Sequence, residues 1–191
     1  MPKRSGQAGA SKKATALAPK LAGKLASASR TEMIEAVLPN DANLLGNIQG
    51  GRVMHLIDIA GAIAAYRHAQ SHVVTASVDY IDFRNPIKVG ELILLKAQVN
   101  RAFRTSIEVG VQVFSENILT GQRTHTSNAF VTYVAIDQKN RPRPVPPVIP
   151  RTASERRRYR EAGIRRRIRL AHRYGVGLSA EAARLEKQLK S

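Results

Sequence analysis

One stretch of this chain combines the residue types that acyl or proton chemistry needs: Asp41-Ala42-Asn43-Leu44-Leu45-Gly46-Asn47-Ile48-Gln49-Gly50-Gly51, running straight into a segment that carries Arg52, His55 and Asp58. Two glycines at a helix start leave backbone N–H groups uncovered by side chains. Aided by the helix dipole, those groups can hold a developing oxyanion. Asp58 follows among Val53, Met54, Leu56, Ile57, Ile59, Ala60, Ile63 and Ala64. A carboxylate on so apolar a helix is costly unless it is paired or used. Arg52, His55 and Asp58 lie three apart, which confines them to an arc of about 120° on a helical wheel. The chain has no cysteine, which removes thiolate nucleophiles, disulfides and every Cys-containing zinc site. It also lacks a G-x-S-x-G elbow, a Walker A loop, a dinucleotide glycine fingerprint and an H-E-x-x-H helix. No metal and no cofactor are expected.

The elements that must position these residues can be read from periodicity. Thr31 to Leu38 alternates like an edge strand before Pro39-Asn40 ends it. The helix through Val53 to Ala64 is apolar nearly all round and belongs inside a protein. Four β-rich runs follow, His72 to Phe83, Glu91 to Ala102, Thr105 to Asn117 and Arg123 to Ile136, separated by turns short enough to make neighbours antiparallel. One strand, one long buried helix and four antiparallel strands give an α+β architecture. A curved antiparallel sheet wrapping a central helix is the hotdog arrangement.

Charge divides the chain of 191 residues into three parts. Residues 1–30 carry seven Lys/Arg and no acid, residues 31–140 nine against ten, and residues 141–191 fifteen against four. The middle is therefore the expected domain, with basic N- and C-terminal extensions outside it. Residues 1–30 resemble an organelle transit peptide weakly, but Pro19 interrupts the Leu17, Leu21, Leu25 stripe, and a disordered basic arm is the preferred reading. Residues 141–191 read as a linker with five prolines, then an Arg-rich helical stretch from Thr152 to Tyr174, then a helix capped by Ser179 with Leu178, Ala182, Leu185 and Leu189 at helical spacing. The longest nearly apolar run, Ile59 to Tyr66, is far short of the ~20 residues that span a bilayer. The expected setting is cytoplasmic.

The middle segment resembles a known family, the hotdog-fold acyl-CoA thioesterases, in particular the cytosolic long-chain and bacterial acyl-CoA hydrolases. The matching residues run from Asp41-Ala42-Asn43 through Gly46 to Gly51, Val53-Met54, Ile57-Asp58, Ala60 to Ala65 and Arg67-His68. They continue through Val73 to Asp79, Phe83, Pro86-Ile87, Val89-Gly90, Ser106, Glu108-Val109 and Tyr133-Val134-Ala135. The resemblance stops short of both basic ends, and Gln49 stands where relatives often have His. It implies hydrolysis of acyl-CoA to a free fatty acid and coenzyme A, a step of fatty acid metabolism, at a site shared between two subunits. Asn43 of one subunit would orient water or polarise the carbonyl. Asp58 of the other would act as general base or nucleophile, and the Gly51 N–H would hold the oxyanion. Gly50, Asn47, Thr75, Arg84 and Ser106 are the implied substrate contacts. A dimer is the minimum assembly, and the resemblance suggests a hexamer built as a trimer of dimers.

Blander roles stand beside these. Asp58 could be satisfied by Arg52 or by backbone, Asn43 and Asn47 could simply shape their loop, and His55 reads as a surface or interface residue. Arg84, Lys88, Arg101 and Arg104 could meet coenzyme A phosphates or merely decorate strand ends. Two other functions compete. One is a non-catalytic acyl-CoA-binding regulator whose basic tails bind nucleic acid or another anionic surface, given Arg156 to Arg158 and Arg165 to Arg167. The other is a hydratase or dehydratase, for which His125 is the strand candidate and lacks an evident acid partner.

Overall fold

The computed structural model describes residues 21–175 and 177–190; the expected basic arm therefore falls largely outside the described residues. Short strand β1 (Lys24–Leu25) precedes β2 (Thr31–Ala36), and helix α1 (Gly50–Ala69) follows the long loop between them. Strands β3 (His72–Phe83), β4 (Leu92–Ala102), β5 (Ser106–Glu116) and β6 (Arg123–Ile136) complete the domain. The order across the sheet is β2-β4-β5-β6-β3, every neighbouring pair antiparallel. This is the hotdog fold.

Period-2 alternation explains which faces meet. Ile93, Leu95, Ala97 and Val99 of β4, Ile107, Val109, Val111 and Val113 of β5, and Val131, Tyr133 and Ala135 of β6 form one buried cluster with Val53, Leu56, Ile57, Ala60 and Ala64 of α1. The sheet bends around the helix at bulges, where one strand carries an extra residue: Thr75/Ser77 and Val78/Tyr80 in β3, Val99/Arg101 in β4, and Val113/Phe114 between β5 and β6. Helix α1 closes on Gln70, whose left-handed backbone (φ 50°) turns its N–H onto the Tyr66 carbonyl. The opposite face of α1 is open: Met54 and Tyr66 are exposed. The expectation of a helix buried all round holds for only one face of it in the single chain.

Both ends of the domain extend past the boundaries that charge suggested. Ala26 and Ser29 are buried, and the Ser29 hydroxyl accepts from the Val99 N–H at 2.9 Å. Strand β1 pairs in parallel with β7 (Val148–Ile149), which the Pro-rich segment contributes together with buried Val145. The Pro146 carbonyl accepts from Nε2 of fully buried His68 at 2.8 Å, and Lys24 Nζ donates to the His68 carbonyl at 2.9 Å. Burial pushes the His68 imidazole below its usual range, so it stays neutral and its proton sits on Nε2. Composition hid these contacts because scattered Ala, Val and Pro residues carry no periodicity.

Helix α2 (Ala153–Tyr174) begins with a reciprocal cap, Thr152 accepting from the Glu155 N–H while Glu155 accepts from the Thr152 N–H. It docks on the outer face of the sheet through Arg165, whose Nη2 donates to Glu108 of β5 at 2.7 Å with both side chains essentially sealed from solvent. Asn100 of β4 donates to the same carboxylate at 3.0 Å, and the guanidinium lies 3.7 Å from the Phe130 ring centre. The Arg-rich stretch cannot build a core of its own, which leaves it docked on the domain, docked on a second subunit or solvated; one arginine of that run enters the fold here, where a buried glutamate pairs with it. Helix α3 (Ala180–Lys190) starts at Ser179, whose hydroxyl accepts from the Ala182 N–H at 3.3 Å. Ala182 and Leu178 pack on Ile164 and Ile168, while the Leu185 and Leu189 side chains lie outside the described residues.

Breaking a buried pair by removing one partner leaves an uncompensated charge, at a cost of about 3–5 kcal/mol. Glu108→Ala is expected to lower the unfolding free energy measured in urea by that amount, and a change below about 1 kcal/mol would show that the pair does not anchor α2.

Candidate active site

The loop before α1 is folded by Asn43. Its Oδ1 accepts from the N–H groups of Leu45 (2.9 Å) and Asn47 (3.2 Å), and its own N–H donates to the Asn47 carbonyl at 2.7 Å. Gly46 takes φ 74°, a conformation that glycine adopts without cost. The loop is tied to the helix on both sides: Gln49 N–H donates to the Asp41 carbonyl at 2.8 Å, Gln49 Nε2 to the Ala42 carbonyl at 3.0 Å, and the Asp41 carboxylate pairs with Arg52 at 3.1 Å. Gln49 is thus the residue just before the helix and holds the loop rather than capping α1.

Gly50 and Gly51 open the helix, where the first N–H groups have no intrahelical acceptor. Gly51 is exposed, and a Cβ there would meet nothing within 4 Å. Beside it lies a cavity of about 370 Å³ lined by Asn43, Asn47, Gly50, Phe83, Arg84 and Thr126, among others. Arg84 donates to Asp82 at 2.6 Å while facing this cavity. Arg101, another expected phosphate contact, is committed elsewhere: its guanidinium lies against the rings of Phe103 and Tyr159. Arg104 and Lys88 are exposed.

Two turns along α1, Asp58 has its own partners. The Thr75 hydroxyl of β3 donates to Asp58 Oδ1 at 2.6 Å, and the Tyr133 hydroxyl of β6 lies 2.9 Å from the Asp58 carbonyl and 3.4 Å from Oδ1. Among the described residues no donor reaches Oδ2. Arg52, the expected bland partner, pairs with Glu35 and Asp41 instead. Burial, reinforced by the neighbouring negative charge of Asp58, pushes the Tyr133 phenol far up, so it remains a neutral donor. Tyr133 fits only because residue 61 is glycine: a Cβ there would stand 2.3 Å from the phenol oxygen. Sequence reading placed Tyr133 in a matching motif without a role; nothing in its strand pattern signals that it crosses beneath the helix to Asp58.

Within one chain the two groups stay apart. Asn43, Asn47, Gly50 and Arg84 share the cavity, Asp58 joins Thr75 and Tyr133, and among the described residues no hydrogen bond joins the two sets. Ser106 begins β5, where its carbonyl accepts from the Phe103 N–H, and it touches neither group. His55 is exposed, as read. His125 meets Asn128 and the edge of the Phe114 ring, with no acid beside it. Among the described residues no three His, Asp or Glu side chains gather to hold a metal, and no helix is long and apolar enough to cross a membrane.

Residues 45–122 match the thioesterase superfamily. Mouse acyl-coenzyme A thioesterase 11 is 39% identical over 150 residues, 78% of this chain, although the chain spans only 25% of that longer protein. A crystal structure of an apo-hexameric acyl-CoA thioesterase superposes with a TM-score of 0.77 at 43% identity, covering 80% of this chain and 97% of the other. The chain belongs to the thioesterase superfamily. Another member of that superfamily, an acyl-CoA hydrolase of Staphylococcus aureus solved with butyryl coenzyme A, coenzyme A and coenzyme A disulfide, is 33% identical with a TM-score of 0.75, over 88% of this chain and 99% of its own. Solved variants of that hydrolase replace an Asn, an Asp and a Thr by Ala. Those three positions are spaced along its chain by the same intervals as Asn43, Asp58 and Thr75 in this superfamily member.

Replacing Asn43 by Ala removes the acceptor that two loop N–H groups share. The amides of Leu45 and Asn47 are then expected to exchange hydrogen at least about tenfold faster, the equivalent of 1.4 kcal/mol of local protection; unchanged exchange by NMR would mean that Asn43 does not hold the loop.

Proposed function

We propose that this chain hydrolyses acyl-CoA thioesters to a free carboxylic acid and coenzyme A, with Asp58 as general base. The observation that carries the proposal is a carboxylate on an apolar helix whose Oδ1 is anchored by Thr75 while no donor among the described residues reaches Oδ2, two turns beyond a helix start made of two glycines. The equal spacing of the residues altered in the Staphylococcus aureus hydrolase supports the same assignment.

In this reading Asp58 Oδ2 takes a proton from water as the water oxygen bonds to the thioester carbon. The carbonyl oxygen, now negative, is held by the Gly51 N–H and the positive end of the α1 dipole. Collapse of the intermediate breaks the C–S bond, and the proton returns from Asp58 to the departing thiolate. Asn43, which shares a cavity with Gly50, orients the water or polarises the carbonyl. Its acyl-CoA is expected along the cavity that Asn47, Gly50 and Arg84 line. Thr75 serves Asp58 in this scheme rather than the substrate, and Ser106 has no role in it.

The separation of Asn43 from Asp58 makes a second copy part of the proposal. Strand β3 lies at the edge of the sheet and exposes Val74, Val78 and Phe83. Such an edge invites another strand, and pairing two copies there would bring each Asp58 toward the other's Asn43 loop. A dimer is therefore the minimum, and the hexameric state of one structural relative supports assembly of three such dimers. A cytoplasmic setting belongs to the same proposal. The competing regulator that binds nucleic acid gains nothing: Arg158 donates to Gln98 and Arg165 to Glu108, so both arginine clusters lose a member to the fold.

Asp58→Asn is expected to lower kcat at least about 100-fold in a thiol-release assay with butyryl-CoA, within the range general bases contribute, while the melting temperature stays put; full turnover in that variant would remove Asp58 from the reaction. Val78→Lys, which puts a charge on the apolar edge, is expected to turn the assembly into smaller, inactive species by light scattering. An active assembly of unchanged mass would place the subunit contact elsewhere.

A further inference from the structure

The hydrolytic step uses Asp58 and anchors its Oδ1 on Thr75 alone. Tyr133 is the neighbour that it does not use. Its side chain is fully buried beneath α1, yet its hydroxyl reaches two different atoms of Asp58, the peptide oxygen at 2.9 Å and Oδ1 at 3.4 Å. One phenolic hydrogen shared between those acceptors is a three-centre bond. It ties the carboxylate to the backbone of its own residue and so restricts rotation of that side chain. The Thr75 hydroxyl, from a different strand, meets the same Oδ1 at 2.6 Å. Two donors from β3 and β6 therefore converge on one carboxylate oxygen, and none on the other.

Gly61 makes this possible. It stands three residues beyond Asp58, one turn along the same helix face, and a Cβ there would lie 2.3 Å from the phenol oxygen and 3.1 Å from the ring carbon bearing it. Any side chain at 61 would drive the phenol away from the helix. A glycine inside a buried helix costs about 1 kcal/mol relative to alanine, and among its neighbours Ala60, Ala62, Ala64 and Ala65 the residue is out of character unless that space is needed.

We propose that Tyr133 is a positioning residue, admitted by Gly61, which together with Thr75 pins Oδ1 of Asp58 so that Oδ2 alone is presented to water at the thioester. The proposal rests on the hydrolytic reading of the site. It accounts for a buried phenol whose polar end would otherwise be spent on a peptide carbonyl already engaged within its helix. Because the phenol stays neutral across the working range, it donates at every pH at which the enzyme would turn over.

The test measures kcat, KM and the pH profile of butyryl-CoA hydrolysis for Tyr133→Phe in the full-length protein, with Asp58→Asn and Gly61→Ala alongside. Tyr133→Phe is expected to lower kcat about 10- to 100-fold, the usual effect of losing a partner that orients a reacting group, with KM within about twofold. Losing a donor to the carboxylate disfavours its charged form, so the acid limb of kcat should move to higher pH. Gly61→Ala should resemble it, and combining the two should cost less than the product of their separate effects. Wild-type kcat and an unmoved acid limb in Tyr133→Phe would overturn the proposal, as would a rate loss that only tracks loss of folded protein by thermal melting. If Asp58→Asn retains full turnover, the reading of the site itself fails; if it is inactive while Tyr133→Phe is normal, only the positioning role falls. Should Gly61→Ala not fold, Tyr133→Phe decides alone.

Discussion

A carboxylate on an otherwise greasy helix organises this domain. Desolvating an ionised group without partners costs far more than a single domain's net stability can absorb, and Asp58 is the acid α1 carries. The fold answers with hydroxyls rather than cations: Thr75 from β3 and Tyr133 from β6. A lysine or arginine at the same distance would neutralise the carboxylate and work against the base role proposed for it, whereas a hydroxyl supports it and leaves its charge available. Arg52, the cation on the same helix stripe, is drawn off by Glu35 and Asp41. In the observed strand order β6 lies next to β3, which lets both hydroxyls reach Asp58.

A second buried charge governs the outside of the sheet. Glu108 points away from α1, on the face that a two-layer fold leaves to solvent, and Arg165 reaches it from a helix more than fifty residues later in the chain. The contact is geometrically rich, with Asn100 completing the carboxylate and Phe130 under the guanidinium. Sealed ion pairs of this kind contribute little net stability against an apolar alternative, but they tolerate no substitute partner. That selectivity gives a reason for a helix with so thin an apolar stripe to dock in one register. The same logic recurs at Glu155, which caps α2 and accepts from Gln98 of β4.

Much of this was legible in the chain itself. Runs rich in Val, Ile, Thr and Tyr, bounded by short turns, placed β3 and β6 at their observed limits and β4 and β5 within a residue or so, because such side chains suit a pleated strand and turn residues end it. The largely apolar run from Val53 to Ala64 located α1, and Asp58 stood out as a charge in the wrong company. The Asp41 to Gly51 stretch announced itself by glycines and short polar residues that only a tight loop and a helix start require. Local chemistry of that kind is written in neighbouring residues, so spacing alone reveals it.

Tertiary structure decided the rest, and each case turns on contacts between distant segments. Nothing near Tyr133 in sequence marks it as a partner of Asp58, nor Gly61 as the space it occupies, because the meeting depends on how β6 crosses beneath α1. Arg165 looks like any arginine of a basic run until Glu108 is placed below it. Residues 24–29 and 145–149 looked like tails because their few apolar side chains are buried against surfaces that other elements supply. A chain encodes its periodicities locally, but a buried polar group is satisfied only by whatever the fold brings to it, and that geometry exists nowhere in the linear order of residues.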